Sequence, residues 1–332
     1  MRRGITITDV AARAGVSPTT VSHALSGRRQ VSAATQAKVH RAINELGYRP
    51  SAIAQSLRTK RTQMIALIVP DIANPYYPAV ARGLHDAAGE DGYYTLIGST
   101  DGHRETELGF LEEMVARSVD GIVMFAFAID AADLTRVVGD RVPMVVLADV
   151  FAGRHDWVRV DDAAGAYAAT RHFLDQGISE IAFAGGPKGR GPGDHRMAGY
   201  RRALAEAGLA AAENDIVRSE YTTEGGRSSV AELLARRRPP RAVVCANDLI
   251  AIGALEAARE AGIAVPTDLA IAGFDDIDAA ALVTPALTTV LNPAYEIGQR
   301  CGRLLVDRMA AGYQGPPREV VVPTQLIVRA SG

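Results

Sequence analysis

Small hydrogen-bonding side chains stand close together near the start of the chain, and their chemistry suits contact with nucleic acid. Pro18 is followed by Thr19, Thr20, Ser22 and His23 within one short stretch. Thr and Ser hydroxyls reach base edges or phosphates, and a His ring can donate to a purine acceptor. The stretch therefore predicts a surface that reads DNA, provided that a helix presents it.

Three short helical patterns occupy the first 50 residues. Thr6 and Ser17 are predicted to cap the first two helices and are also candidate DNA contacts, and Gly15 ends the first helix. Two short helices joined by a Gly-containing turn and backed by a third are typical of a helix-turn-helix, whose second helix enters the major groove. The alternative is a three-helix bundle at the protein surface with ordinary caps.

The distribution of charge favours the helix-turn-helix. The 332-residue chain has a formal net charge of only −2, but residues 1–63 carry +9 and residues 64–332 carry −11. A basic segment on an acidic remainder is typical of an arm that binds nucleic acid. Arg28 and Arg29 are candidate phosphate contacts within it.

Short apolar runs alternate with helical patterns from residue 64 onward. Continuous apolarity of this kind indicates strands buried on both faces of parallel sheets, so this part is predicted to be α/β and doubly wound. The runs are 64–69, 94–98, 121–127, 144–148, 181–185, 242–246 and 269–274.

Polar and aromatic side chains follow several of these runs, where ligands of open α/β sheets bind. Tyr76 and Tyr77 come after the first run, and a Gly-rich turn with Arg190 and Arg196 comes after the fifth. The glycines of that turn fit neither common nucleotide-binding pattern. The pairs Asn247-Asp248 and Asp275-Asp276 follow the last two runs, and capping of the next helix is the alternative for Asp248 and Asp276.

The beginning of the chain resembles the DNA-binding part of the LacI/GalR transcription repressors, over residues 6–59. The resemblance is carried by the segments DVA, AGVS, TVS and LGYRP, in that order and at the family's spacing. It implies that Pro18, Thr19 and His23 are the main base-reading positions. It also implies a hinge helix after Pro50, in which Leu57 wedges into the minor groove. Ala54 would pack closely there and Arg58 would contact the groove or its phosphates.

The resemblance continues to the end of the chain and implies a periplasmic-binding-protein-like fold of two α/β lobes with a ligand between them. The chain would cross between the lobes near Asp161, Asn292 and Pro323. The implied parts are a DNA-binding domain (1–49), a hinge (50–61) and an effector-binding and dimerisation domain (62–332), with lobe 1 at 62–161 plus 293–322 and lobe 2 at 162–292 plus 323–332.

The same resemblance places Arg196, Asn247 and Asp275 in the cleft, a trio like that of the sugar-specific members of the family. The purine-binding relative lacks the Asn. The remaining candidate effector contacts are Tyr76, Tyr77, Phe125, Asp149, Asp161, Arg190 and Tyr221.

Catalysis and metal binding are disfavoured by the sequence. The seven His residues form no triad or metal spacing, and Ser residues near Gly lack the second Gly of a nucleophile elbow. Glu105 and Glu107 are predicted to be solvated residues of a helix start. Cys245 and Cys301 are predicted to be free buried thiols in a reducing cytoplasm. No apolar run is long enough to span a membrane.

The sequence thus predicts a cytoplasmic, homodimeric transcription regulator without a cofactor. It would repress a near-palindromic operator under the control of a small molecule, a sugar or sugar-like metabolite. The alternatives are a sugar-responsive activator and a purine- or nucleoside-responsive repressor. A solute-binding protein of a transporter is disfavoured, because a basic helix-turn-helix stands where a signal peptide would be required.

Overall fold

The chain forms two units that are described separately. The computed structural model describes residues 5–26, 29–49, 56, 59, 61–147, 154–310 and 312–332. Internal contacts divide the chain into Met1–Thr62, here called the head, and Gln63–Gly332, here called the body.

Residues 5–49 of the head, as far as they are described, form three helices, and the predicted caps are present. The helices are α1 (Ile7–Ala14), α2 (Pro18–Ser26) and α3 (Ala33–Leu46). Thr6 donates to the Asp9 carboxylate at 2.8 Å from both its backbone N–H and its hydroxyl, and Ser17 Oγ accepts the Thr20 N–H at 3.1 Å. Gly15 ends α1 at φ +66°, a left-handed conformation that favours glycine. Apolar side chains of all three helices form one small core.

The described residues of the body form two six-stranded sheets, which confirms the predicted doubly wound α/β fold. Sheet 1 has the order β11-β5-β4-β3-β1-β2, with parallel pairing between the neighbours in this order. Sheet 2 has the order β12-β10-β9-β8-β6-β7; its β10–β12 pair is antiparallel and the other neighbours in this order pair in parallel. The strands are β1 (Met64–Val69), β2 (Tyr94–Ser99), β3 (Gly121–Met124), β4 (Met144–Val146), β5 (Asp156–Val160), β6 (Ile181–Gly185), β7 (Ile216–Arg218), β8 (Ala242–Cys245), β9 (Ala270–Asp275), β10 (Thr288–Leu291), β11 (Glu319–Val322) and β12 (Gln325–Ile327).

Helices connect these strands and cover the sheets. We call sheet 1 with its helices lobe 1, and sheet 2 with its helices lobe 2. The helices of lobe 1 are α4 (Tyr76–Gly89), α5 (Arg104–Ala116), α6 (Ala131–Val137) and α12 (Ala294–Met309); those of lobe 2 are α7 (Asp162–Asp175), α8 (Gly193–Glu206), α9 (Thr223–Leu234), α10 (Asp248–Glu260) and α11 (Asp278–Leu282).

The chain passes between the lobes three times, because each sheet takes one strand from the far end of the sequence. It crosses after β5, after β10, and between β11 and β12. The second crossing returns α12 to lobe 1, where it packs closely against α4. Gly83 and Gly298 permit this approach, since a Cβ at either position would collide with the backbone of the other helix.

Two apolar runs depart from the prediction of strands buried on both faces. β2 lies at the edge of sheet 1, and Tyr94 remains 70% exposed there. The run 121–127 is strand only as far as Met124, after which residues 125–130 form a loop. The apolar side chains of residues 125–127 therefore belong to a loop and not to a strand. No helix in the described part of the chain is both long and apolar enough to span a membrane.

Candidate functional site

A cavity of about 370 Å³ lies between the two lobes, at the carboxyl ends of their parallel strands. Both lobes and the crossing segments contribute to its lining. The aromatic, charged and amide side chains of the lining include Tyr76, Tyr77, Phe125, Phe127, Arg159, Asp162, Asp194, His195, Arg196, Tyr221, Asn247, Asp275 and Asn292.

Lobe 1 contributes an aromatic wall. Tyr76 and Tyr77 begin α4, the first helix after β1, and Phe125 directly follows β3. The three rings meet edge to face, with centroids 5.3 Å apart for the two tyrosines and 5.1 Å apart for Tyr77 and Phe125. Burial raises the pKa of both tyrosines well above the ordinary value, so their hydroxyls stay neutral. The wall offers apolar faces with hydroxyl groups at its margin.

Arg196 supplies a buried cation on the lobe 2 side. Its Nε donates to Asp162 Oδ1 at 2.7 Å, its Nη1 donates to the Ala246 carbonyl, and Nη2 lies 3.5 Å from Asp275 Oδ1. The guanidinium also lies 3.6 Å from the centroid of the Phe274 ring. Burial acts to lower the Arg196 pKa, but the two carboxylates raise it above its ordinary value, so Arg196 stays charged.

Asp275 joins the Arg196 cluster to lobe 1. Its Oδ1 accepts from Asn292 Nδ2 at 3.0 Å, and Asn292 Oδ1 accepts from the Tyr76 hydroxyl at 3.2 Å. Burial raises the pKa of Asp275 to about 6, in spite of the opposing effects of Arg196 and Asn292. The backbone at Asp275 has φ +112°, a strained conformation of a kind often found at binding sites. A continuous chain of polar contacts thus runs from Tyr76 to Arg196 across the cleft.

Asn247 both lines the cavity and caps a helix, whereas the adjacent Asp248 does neither. Asn247 Oδ1 accepts the Ile250 N–H at 2.9 Å at the start of α10. Asp248 is fully buried and accepts from the Thr289 hydroxyl at 2.5 Å and from the Ile277 N–H at 2.9 Å. The alternative that Asp248 caps the helix is therefore wrong, because its side chain turns inward and joins α10 to β10. Burial raises its pKa well above the ordinary value.

Asp276 does not cap a helix either. Its carboxylate pairs with Arg329 at 2.7 Å.

The cavity brings together seven of the predicted effector contacts and leaves two outside its lining. Those in the lining are Tyr76, Tyr77, Phe125, Arg196, Tyr221, Asn247 and Asp275. Asp161 is outside because its carboxylate accepts the Ala164 N–H at 2.9 Å and caps α7. Arg190 is outside because it pairs with Glu220 at 2.7 Å. Asp149 lies outside the described residues.

Several lining residues were missed by the sequence reasoning. Asp162 lies in the cavity where Asp161 was expected, and no sequence signal separates two adjacent acids after a strand. Asn292 was identified only as a crossing point. Phe127 belongs to a run that was interpreted entirely as strand. His195 and Arg159 gave no signal beyond their positions next to Arg196 and β5.

Glu107 corrects a further prediction, that of a solvated acid at a helix start. Its side chain is fully buried beneath the loop that follows β3, and it accepts three consecutive backbone N–H groups. Burial raises the pKa of Glu107 above its ordinary value, against the effect of the three N–H groups. Glu105, two residues earlier, is exposed as predicted.

The charges that line the cavity are already matched. Arg196 is engaged by Asp162 and Asp275, and Arg159 pairs with Glu319 at 2.7 Å. Asp194 accepts from Arg218 at 2.7 Å and from the Gly189 N–H at 2.8 Å. Each arginine described in the lining thus has a carboxylate partner within the protein. Across the described residues, no three His, Cys, Asp or Glu side chains are grouped so as to hold a metal ion.

The head presents the predicted DNA-reading residues on one helix. Ser17 caps α2, and Pro18, Thr19, Thr20, Ser22 and His23 lie in its first two turns. Pro18 and Thr19 are exposed, as is Arg29 beyond the helix. Arg28, Ala54, Leu57 and Arg58 lie outside the described residues.

Comparison with known proteins gives matches over both units. Residues 6–51 match the family described as bacterial regulatory proteins, lacI family, and residues 170–332 match a periplasmic binding protein-like domain. The HTH-type transcriptional regulator DegA of Bacillus subtilis (strain 168) is 37% identical over 331 residues, covering 98% of this chain and 97% of DegA. The HTH-type transcriptional repressor CytR of Escherichia coli (strain K12) is 33% identical over 328 residues, covering 98% of this chain and 96% of CytR.

A solved structure is similar over the same length. The complex of the transcriptional regulator CelR with cellobiose has 31% sequence identity and a TM-score of 0.75, covering 99% of this chain and 100% of that chain.

Proposed function

The chain belongs to the LacI family of bacterial regulatory proteins, and on that premise we propose that it is a transcription repressor controlled by a small molecule bound in the cavity. The observation that carries the proposal is the chain of polar contacts from Tyr76 through Asn292 and Asp275 to Arg196. It includes groups of both lobes, so a ligand that inserts into it has different contacts in an open and a closed cleft. Such differential contact is what a ligand needs to shift a conformational equilibrium.

The proposed ligand is an uncharged, hydroxyl-rich ring, such as a sugar. The aromatic wall of Tyr76, Tyr77 and Phe125 suits the apolar face of a ring, while Asn247 and Asp275 suit its hydroxyl groups. A phosphate or carboxylate would need a cation, and Arg196 is already matched by two carboxylates. Sugar phosphates are therefore expected to bind poorly.

The proposed role is binding without transformation of the ligand. The carboxylates described in the lining are held by Arg196 or Arg218, which suits fixed acceptors better than proton transfer. CelR, whose solved structure contains cellobiose, is a transcriptional regulator, and CytR is a transcriptional repressor.

On the DNA side, we assign residues 1–49 to operator binding, 50–61 to the hinge and 62–332 to effector binding and dimerisation. Base contacts are assigned to α2, through Pro18, Thr19 and His23. A helix-turn-helix protein reads two half-sites as a dimer, so the operator is proposed to be near-palindromic and the protein a cytoplasmic homodimer.

A ligand screen on the full chain tests the effector assignment. Thermal unfolding is followed with cellobiose, D-ribose, a nucleoside and glucose 6-phosphate, and a neutral sugar is expected to raise the midpoint. Stabilisation by the sugar phosphate alone would contradict the proposed charge matching, and stabilisation by the nucleoside alone would favour the purine-type alternative.

A second experiment links the cavity to DNA. An operator is selected from a random library with the full chain, and its affinity is measured with and without the stabilising sugar. Asp275→Ala is expected to abolish the response without lowering operator affinity in the absence of the sugar. Asp276→Ala, next to it but paired with Arg329, is the matched control. A normal response in Asp275→Ala would rule out the assigned cavity.

A further inference from the structure

The loop after β3 is fixed to lobe 1 by one buried side chain. Glu107 Oε1 accepts the Phe127 N–H at 2.9 Å, and Oε2 accepts the N–H groups of Ala128 and Ile129 at 3.1 Å each. Three consecutive N–H groups converge on a single carboxylate, an arrangement that suits an anion. A glutamine cannot reproduce it, because its amide would place an NH2 group against at least one of these donors.

The Phe127 side chain, which projects from this loop, contacts lobe 2. The Phe127 ring lies 6.3 Å from the Tyr221 ring, centroid to centroid. It also lies beside Gly191, where a Cβ would stand 2.6 Å from Phe127 Cε2. The Tyr221 hydroxyl in turn accepts the Gly193 N–H at 2.9 Å at the start of α8. Phe127 thus contacts the segment of lobe 2 that carries Arg196.

From this geometry we infer that Glu107 and Phe127 form a latch that holds the cleft closed over the effector. Glu107 is the positioning residue, because it sets the backbone from which Phe127 projects. Phe127 lines the cavity and contacts both the effector and lobe 2. The inference rests on the proposed function of the cavity, and it adds a residue whose removal should weaken effector binding without removing any polar contact to the ligand.

Hydrogen exchange of the full chain without ligand tests the latch directly. Glu107→Gln is expected to accelerate exchange roughly tenfold or more at residues 127–129, since it breaks hydrogen bonds to a charged acceptor. It is also expected to accelerate exchange at 189–193 in lobe 2. Phe127→Ala is expected to accelerate exchange only at 189–193, because Glu107 still holds the loop. The different exchange patterns of the two variants distinguish a latch from general destabilisation of the protein.

Two control variants match these changes. Glu105→Gln removes an exposed charge from the same helix, and Phe110→Ala removes a half-buried ring of lobe 1 that is not in the cavity lining. Both should leave exchange at 127–129 and 189–193 at the wild-type rate. Unchanged exchange at 189–193 in Phe127→Ala, or equal acceleration throughout both lobes in Glu107→Gln, would overturn the latch.

The affinity for cellobiose supplies the functional test. If cellobiose binds the wild type, Phe127→Ala and Glu107→Gln should weaken binding at least severalfold, while both controls bind normally. Normal binding by both variants would overturn the latch. If no sugar of the screen binds the wild type, the proposed effector class fails, and the exchange pattern decides the latch alone.

Discussion

Replacing Asp275 by Asn should stabilise the empty protein at neutral pH while weakening effector binding. Both neighbours, Asn292 Nδ2 and Arg196 Nη2, approach the same oxygen of Asp275, Oδ1. An asparagine can keep its carbonyl oxygen there and retain both contacts. The change thus removes the buried charge with little loss of hydrogen bonding. It also replaces the second carboxylate oxygen, Oδ2, by an NH2 group, so a ligand hydroxyl can no longer donate to that position.

The magnitude follows from the raised pKa of Asp275. Burial brings this pKa to about 6, from an ordinary value of 3.8, which corresponds to about 3 kcal/mol. Below the ordinary pKa the carboxyl is protonated in both states and costs nothing. Between about pH 4 and pH 6 the unfolded chain loses this proton while the folded protein keeps it, so wild-type stability falls over this interval and stays at the lower value above pH 6. The Asp275→Asn variant carries no such charge and avoids the loss.

Urea unfolding of the full chain between pH 4 and pH 8 measures this difference. The free energies of unfolding of wild type and Asp275→Asn should converge near pH 4 and separate by up to about 3 kcal/mol at pH 8, with the variant more stable. Asp276→Asn serves as a control, because that residue pairs with Arg329. A variant less stable than wild type at pH 8 would refute the reasoning, since the charge would then be contributing to stability.

The remaining predictions concern the head and Asn247 in the cavity. Ser17→Ala should lower the stability of the head by about 1 kcal/mol by removing the cap of α2, whereas Thr19→Ala should weaken operator binding at unchanged stability; thermal unfolding and DNA titration separate the two. Arg29→Gln should reduce the slope of log affinity against log salt by about 1, and an unchanged slope would exclude a phosphate contact. Asn247→Ala should weaken both effector binding and folding, the latter by about 1 kcal/mol, because it removes the cap of α10; effector titration and urea unfolding measure the two effects.

The central strands of both sheets could be predicted from the sequence because their burial on two faces leaves an uninterrupted apolar run. β1, β6 and β9 are examples, each buried along nearly its whole length. β7 escaped prediction because it has only three residues. β10 escaped because it begins with two buried threonines whose partners are distant in sequence: Thr288 bonds to Arg329 and Ser331, and Thr289 donates to Asp248.

The candidate site was predictable where polar or aromatic residues follow a strand. Tyr76 and Tyr77 were identified from that position, and Arg196, Asn247 and Asp275 with the help of the family resemblance. Asp161 and Asp162 were not distinguished, because the choice between capping a helix and facing a cavity depends on the backbone direction at the end of β5. Glu107 was misassigned because an acid in the first turn of a helix is usually solvated, and only tertiary structure places three N–H groups above it.

The three crossings between lobes also constrain the order in which the parts of the protein can fold during synthesis. In sheet 1, β5 pairs with β11, and in sheet 2, β10 pairs with β12. Neither sheet can therefore be completed until residues 319–327 have left the ribosome. The head has all its core residues before position 50 and has no such dependence. During synthesis, a segment with the proposed affinity for operator DNA is therefore available before the part that would respond to the effector.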